Sequence, residues 1–337
     1  MLLNKKLCSI LILGLVLIGS SSFSTTIIPI SYLTTYTSHN PLVLDAKNSF
    51  TLPRRFRTTS MPIPPKKLNH YLKSHKNLPS FKGYKELRAS GSAQFSRKNI
   101  LAALSHMQGK VYVLDLRQES HGFLNGDAVS WYGERNWANE GQANSFVSNL
   151  EISLFQHLTN LKKASICKFQ KIPHKHLCNI NTNFIDIKTA ETEEQLIKGL
   201  GLEYIRFPVL DRWKPEDKVI DQFVNFIKAL PKGTWLHFHC RGGSGRTTTF
   251  LVMYDIIRNG QHVKLKDIIA RHALAGVKNL QNISLTVLGE WETKGALKRL
   301  ALIEKFYEYV QDPNGYLSRS WMEWLNLKKA EFTSQGF

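Results

Sequence analysis

The chain has 337 residues, with 45 Lys and Arg against 26 Asp and Glu and a formal charge of +19. Hydrophobic residues make up 42% and aromatics 11%, which marks a globular chain of one large or two modest domains with a sizeable core. Such a charge narrows the partners to nucleic acid, an anionic membrane or a highly anionic small substrate; no DNA- or RNA-binding signature is present, and the basic residues are dispersed rather than in long runs.

Lys5 and Lys6 precede an apolar stretch from Leu7 to Ile18, and mostly small residues follow from Ser20 to Ser24. Residues 1–24 read as a secretory signal whose apolar part is too short for a comfortable membrane span. An uncleaved anchor is the alternative. The expected destination is periplasmic or secreted. Cys8 leaves with the signal. In an oxidising compartment Cys167 and Cys178 could pair and leave Cys240 free, a disulfide the spacing allows without requiring. No Cys-x2-Cys is present, and the pairs His174/His176 and His237/His239 lack companion ligands. No metal and no cofactor is therefore expected.

Residues 25–50, rich in Thr and Ser, read as an N-terminal arm that docks loosely. Arg54, Arg55 and Arg57 cluster in LPRRFRTT, either a solvated basic turn or an arm reaching into an anionic site. Residues 61–80 are Pro- and Lys-rich and read as irregular. Ser96 suits the N-cap of a helix through His106, which Gly109 ends. Val111 to Leu116 is a buried strand. Residues 117–142 combine Gly, aromatics and polar groups without a clean period. They predict a long functional loop with short strands, centred on the turn Asn125 to Asp127. A helix is expected over 145–158. The basic stretch 162–183 lacks helical period and reads as a small β insertion. Glu191 to Leu200 is a helix and Glu203 to Val209 a strand.

LDRWKPED, residues 210–217, lies between that strand and a helix to Leu230 whose first turn holds Pro215, Glu216 and Asp217. A strand, helix, strand unit is parallel and right-handed, so Asp211 falls on the same sheet edge as the end of the next strand. An acid there can protonate a leaving oxygen and later activate water. A capping or turn aspartate is the other reading.

The next strand opens WLHFHCRGGSGRTT, residues 235–248, around which the chain is organised. Cys240 stands at the strand end. Arg241, Gly242, Gly243, Ser244 and Gly245 form a turn whose backbone N–H groups can close into an anion nest. The following helix adds its free N–H groups and the positive end of its dipole. The same field stabilises a thiolate. Arg246 can grip two phosphoryl oxygens, and the Thr247 hydroxyl can bond the sulfur. The pattern implies thiolate attack on a phosphate monoester and a cysteinyl-phosphate intermediate. Lys264 to Ala275, Leu297 to Tyr309 and Ser320 to Leu327 read as further helices. The predicted class is α/β: a central, mostly parallel sheet flanked by helices on both faces.

Together, DLRQESHGF at 115–123, SWYGERNWAN at 130–139 and WLHFHCRGGSGRTT resemble the bacterial cysteine phytases, the protein-tyrosine-phosphatase-like inositol phosphatases, over roughly residues 45–330. The resemblance implies a tyrosine-phosphatase-like core from 51–149 and 191–337, with a small β-barrel inserted at 150–190. It implies stepwise, metal-independent removal of phosphates from myo-inositol hexakisphosphate. It makes Cys240 the nucleophile, Arg246 the phosphate ligand and Asp211 the general acid, with His239 helping to tune the thiol. The family's Phe-Arg segment falls on Phe56 and Arg57, making Arg57 a substrate contact. Its His-Lys pair falls on His174 and Lys175, and a late basic position on Arg299. Three positions depart from the family: Arg212 stands for a His, Asn136 for an Asp, and Glu292 for a Lys. The first two favour an anion and the third opposes it. Arg241 adds a cation at the mouth. A phosphoinositide or protein phosphotyrosine phosphatase delivered to another cell is the alternative, with membrane contact expected only for phosphoinositides. A catalytically dead phosphate binder is the third reading, opposed by the intact Cys240, Arg246 and Asp211. The oligomeric state is left open.

Overall fold

The structure, a computed structural model, describes residues 28–172, 175–276, 279–283 and 289–334. The expected signal at 1–24 and His174 lie outside the described residues, as do the side chains of Lys175 and Cys178.

The chain opens with α1 (Ile30–His39) and β1 (Leu42–Ala46), followed by β2 (Arg57–Thr58) and α2 (Pro65–Leu72). Next come β3 (Ala89–Ala93), α3 (Arg97–Leu104) and β4 (Val111–Arg117). A hairpin of β5 (His121–Leu124) and β6 (Asp127–Trp131) leads into α4 (Asn144–Leu161). A second hairpin, β7 (Lys163–Ile172) and β8 (Lys175–Asp186), precedes β9 (Ala190–Thr192) and α5 (Glu193–Gly199). Then follow β10 (Glu203–Val209), α6 (Asp217–Lys228), β11 (Trp235–Cys240) and α7 (Gly245–Asn259). The chain finishes with α8 (Leu265–Ala275), α9 (Glu290–Gln311) and α10 (Trp321–Ser334).

Local chemistry accounts for several of these boundaries. Ser96 caps α3 in a reciprocal box, its hydroxyl accepting from Asn99 N–H while the Asn99 side chain accepts from Ser96 N–H. Asn125 and Gly126 both adopt positive φ, 53° and 80°, and close the β5–β6 hairpin with a twist that matches the strands.

Two mixed sheets result, rather than the single mostly parallel sheet expected. The five-stranded sheet runs β10-β4-β11-β3-β2 and is parallel except at β2, which is antiparallel to β3. The six-stranded sheet runs β8-β7-β1-β6-β5-β9 and is antiparallel except where β1 meets β7. The physical reason is connection length. Helical crossovers give parallel neighbours, whereas the two-residue connections of the two hairpins force antiparallel ones. The loop expected at 117–142 thus contains one of these hairpins. The strands expected to form a small barrel within 150–190 instead lie at one edge of a sheet built with β1, β5 and β6. Of the arm at 25–50, expected to dock loosely, the described part from 28 onward is packed in. β1 sits between β7 and β6, and Leu33, Tyr36, Leu42 and Val43 are buried.

Alternation along the central strands divides the core. Leu236, Phe238 and Cys240 of β11 face the cluster formed with α6, α7 and α9. Trp235, on the other face, packs with Phe95, Ile100 and Val113. A third cluster joins α1 and α4 to the six-stranded sheet through Tyr36, Trp131 and Phe155. The parallel strands β10, β4 and β11 end on one edge, where ligands bind in open α/β sheets. That edge carries the chemistry.

Candidate active site

Cys240 ends β11 as a buried free thiol. Gly243 turns back toward it at φ 65°. A Cβ there would lie 2.3 Å from the Ala93 backbone nitrogen, so only glycine fits. The Gly243 N–H donates to Cys240 Sγ at 3.2 Å, and the Thr247 hydroxyl donates to the same sulfur at 3.2 Å. Gly242, Ser244 and Gly245 complete the half-exposed turn into α7, whose first turn carries no acid to oppose an anion.

Arg246 is buried and held from two sides. Its Nη1 and Nη2 donate to Glu119 Oε2 and Oε1 at 2.7 and 2.9 Å. Nη1 also reaches the Val209 carbonyl at 2.9 Å, and Nη2 lies 3.0 Å from Asp211 Oδ1. Its Nε makes no hydrogen bond among the described residues. Glu119 also accepts from Arg117 Nε and Asn136 Nδ2, both at 2.9 Å. Burial pushes the Glu119 carboxyl up, but Arg246 and Arg117 outweigh it and hold it well below the usual range. Arg117 in turn pairs with Asp45 at 2.9 Å, and Asp45 with Arg241 Nε at 2.7 Å. A buried charge relay thus runs from Arg241 through Asp45, Arg117 and Glu119 to Arg246 and Asp211. Glu119 was not assigned a role from sequence. Its signal was an acid just past a buried strand, inside the quoted DLRQESHGF.

Asp211 follows β10, in the turn after Leu210, and is held by the long middle loop. Asn136 Nδ2 donates to its Oδ2 at 3.3 Å, and Trp137 Nε1 donates to its backbone carbonyl at 2.9 Å. Asn136 thus bridges Glu119 and Asp211 through one amide, whereas an ionised aspartate at this position accepts only and could donate to neither. Trp137 stacks edge-on against Trp213 of the acid loop and Trp291 at the start of α9, with ring centroids 5.7 and 5.6 Å away. Arg135 lies over both Trp137 and Trp291. Arg135, Asn136 and Arg212 all adopt positive φ, between 55° and 66°, an energetically costly conformation for side-chain-bearing residues that concentrates at functional sites.

The remaining predicted residues divide. Arg299 is buried beside Gly245 and donates to the Arg212 carbonyl. It forms no ion pair among the described residues, its Nε is unsatisfied, and burial pushes it down to about 10. Its guanidinium thus lies between the turn at Gly245 and the Arg212 backbone. Arg241 lies over Tyr132 at 4.6 Å while paired to Asp45. Arg212 pairs with Glu292 and stacks over Trp291, so two of the three departures from the family meet each other. Arg57 is buried under the turn rather than in its mouth. It donates to the Gly243 carbonyl at 3.0 Å and to Thr248 Oγ1 at 3.2 Å. Arg55, unassigned from sequence, is exposed and donates to the Gly242 carbonyl at 2.5 Å. His239 points to the opposite face of β11 from the thiol. Its Nε2 lies 2.6 Å from Glu193 Oε1 and its ring 4.8 Å from Phe95. Cys167 is disulfide-bonded.

The model of the PTP-like phytase family, described by the words "Inositol hexakisphosphate", matches residues 114–258. The fold resembles the PTP-like myo-inositol phosphatase from Mitsuokella multacida, solved with myo-inositol-(1,3,4,5)-tetrakisphosphate, at TM-score 0.76 and 32% identity. That match covers 86% of this chain and 48% of the other. A PTP-like phytase from Bdellovibrio bacteriovorus matches at TM-score 0.63 and 31% identity, over 84% of this chain and 93% of its own. Effector protein hopD2 of Pseudomonas syringae pv. tomato is 28% identical over 253 residues, 72% of this chain and 52% of that protein. The chain spans about half the length of hopD2 and of the Mitsuokella protein. With a thiol, an arginine and an acid gathered on one strand edge, and a similarity that extends over nearly all of the Bdellovibrio enzyme, the chain belongs to the PTP-like phytase family.

Proposed function

We propose that the chain is an exported phosphatase that removes phosphates from myo-inositol hexakisphosphate and lower inositol polyphosphates through a cysteinyl-phosphate intermediate. The observation that carries this reading is the convergence of two donors on Cys240 Sγ with Arg246 and Asp211 linked at the same edge. The Cys240 thiolate attacks phosphorus and the bond to the inositol oxygen breaks, while Asp211 gives that oxygen its proton. Backbone N–H groups of Gly242 to Gly245 and the Arg246 fork hold the equatorial oxygens as charge redistributes. Water then attacks the phosphocysteine, Asp211 takes its proton, and the sulfur–phosphorus bond breaks to release phosphate and the thiolate. The buried cation Arg299 and the rim cations Arg55 and Arg241 suit a ring that carries several phosphates. The ligand of the Mitsuokella structure, an inositol tetrakisphosphate, supports the same class. Export rests on the pattern of residues 1–24.

The test compares phosphate release from inositol hexakisphosphate, a phosphotyrosine peptide and a phosphoinositide. The hexakisphosphate should be turned over fastest, without loss on adding a chelator. Equal or faster turnover of the peptide would overturn the substrate assignment. Cys240→Ser should abolish release while binding persists. Residual activity within about tenfold of wild type would overturn the thiolate mechanism.

A further inference from the structure

Residues 46–85 hold ten of the 45 lysines and arginines and none of the 26 aspartates and glutamates. More than half of the +19 excess therefore lies in about an eighth of the chain, although no single run of cations is long. The stretch starts at the mouth of the site, where Arg55 meets Gly242. It continues into α2, which is fixed to the end of α8 by Lys67 Nζ, bonded to the Leu274 and Gly276 carbonyls at 3.0 and 2.8 Å. At 100° per residue, Lys67, Leu68 and Tyr71 take the inward side of α2, and Leu68 and Tyr71 are half-buried. Lys66, His70 and Lys73 share the outward side and are exposed. Lys66, Lys73, Lys76, Lys82 and Lys85 form no ion pair among the described residues. Leu72, at the border between the two sides, and Leu78, beyond the helix, are each 42% exposed. No residue of α2 is buried, so the helix adds little to the core.

From these observations we propose that the face formed by α2 and the residues after it docks onto an anionic phospholipid bilayer. Lysines at its surface meet lipid phosphates and carboxylates, and the exposed leucines enter the boundary between headgroups and acyl chains. A duplex nucleic acid would satisfy the charge but would leave the leucines in water. Docking this way sets the mouth of the site beside the membrane, whatever its substrate.

The experiment is co-sedimentation of the full chain with phosphatidylcholine vesicles, with and without roughly one third phosphatidylserine. Vesicles without phosphorylated inositol separate this test from the substrate assignment. Wild type should sediment with the anionic vesicles in low salt, less in high salt, and to a smaller extent with neutral ones. The variant Lys66→Glu/Lys73→Glu/Lys76→Glu, with the same N-terminus, should partition onto anionic vesicles at least about a hundredfold more weakly. Its turnover of a soluble monophosphate without vesicles should be unchanged, which also reports folding. Leu72→Gln/Leu78→Gln should weaken vesicle binding and leave retention on immobilised heparin unaltered. Failure of wild type to prefer anionic vesicles would overturn the proposal. So would equal binding by the charge-reversed variant, or an equal loss of heparin and vesicle binding in the leucine variant.

Discussion

Trp137→Phe isolates one bond in the positioning of the acid. The substitution keeps an aromatic ring against Trp213 and Trp291 and removes the N–H that donates to the Asp211 carbonyl at 2.9 Å. A neutral hydrogen bond contributes about 0.5–1.5 kcal/mol net. If that energy holds Asp211 in line, kcat on an inositol phosphate should fall by about 2- to 12-fold. Trp137→Ala also removes two edge-on aromatic pairs worth about 0.5–1.5 kcal/mol each. Its loss is capped by that of Asp211→Asn, because general acid catalysis as a whole contributes about 10²–10⁴-fold. The assay measures kcat on inositol hexakisphosphate beside p-nitrophenyl phosphate, whose leaving group departs without protonation. The aryl ester should be almost insensitive to Trp137→Phe. Equal losses on both substrates would show that Trp137 supports the fold or the phosphate cradle instead, and would refute the positioning argument.

Glu119→Gln removes the buried carboxylate shared by Arg246, Arg117 and Asn136. Leaving two buried guanidinium groups short of a charge should cost about 3–5 kcal/mol of stability, read by chemical denaturation, and lower kcat on every phosphate ester. Arg57→Lys should raise KM for a monophosphate and a hexakisphosphate by the same factor, because Arg57 braces the Gly243 carbonyl under the cradle; a selective effect on the hexakisphosphate would place it in the mouth. Burial pushes the His121 imidazole down, but Asp115 and Glu193 outweigh it and raise it to about 10. A group raised on folding stabilises fully below its unfolded value of about 6.5 and loses that contribution as pH climbs through its folded value. The melting temperature should therefore fall between about pH 7 and 10 more steeply in wild type than in His121→Gln; parallel slopes would refute the assignment.

Asp211 and Glu119 look alike along the chain, and only the fold separates them. Both are acids just past a strand end. Asp211 stood out because it follows a strand and precedes a helix in a unit that returns directly to Cys240. Glu119 follows β4, which lies between β10 and β11 only once the sheet order is known. Arg57 shows the same limit. The antiparallel pairing of β2 with β3 goes with its place beneath Gly243, a contact that no spacing in its own segment predicts.

The sequence by itself determined the turn that follows Cys240, because its requirements are local. Cys240, the positive φ at Gly243, the Thr247 hydroxyl and the start of α7 all lie within eight residues. It also placed Asp211 on the strand edge that carries Cys240, through the short crossover from β10 to β11. Only the tertiary structure decided what holds these groups in place. The relay from Arg241 through Asp45, Arg117 and Glu119 to Arg246 spans residues 45 to 246. Such partners have no fixed spacing, since buried charges select one another by distance in the folded core and not by separation along the chain. The two sheets were likewise decided there, because hairpin and crossover strands share hydrophobic alternation and differ only in where each chain segment returns.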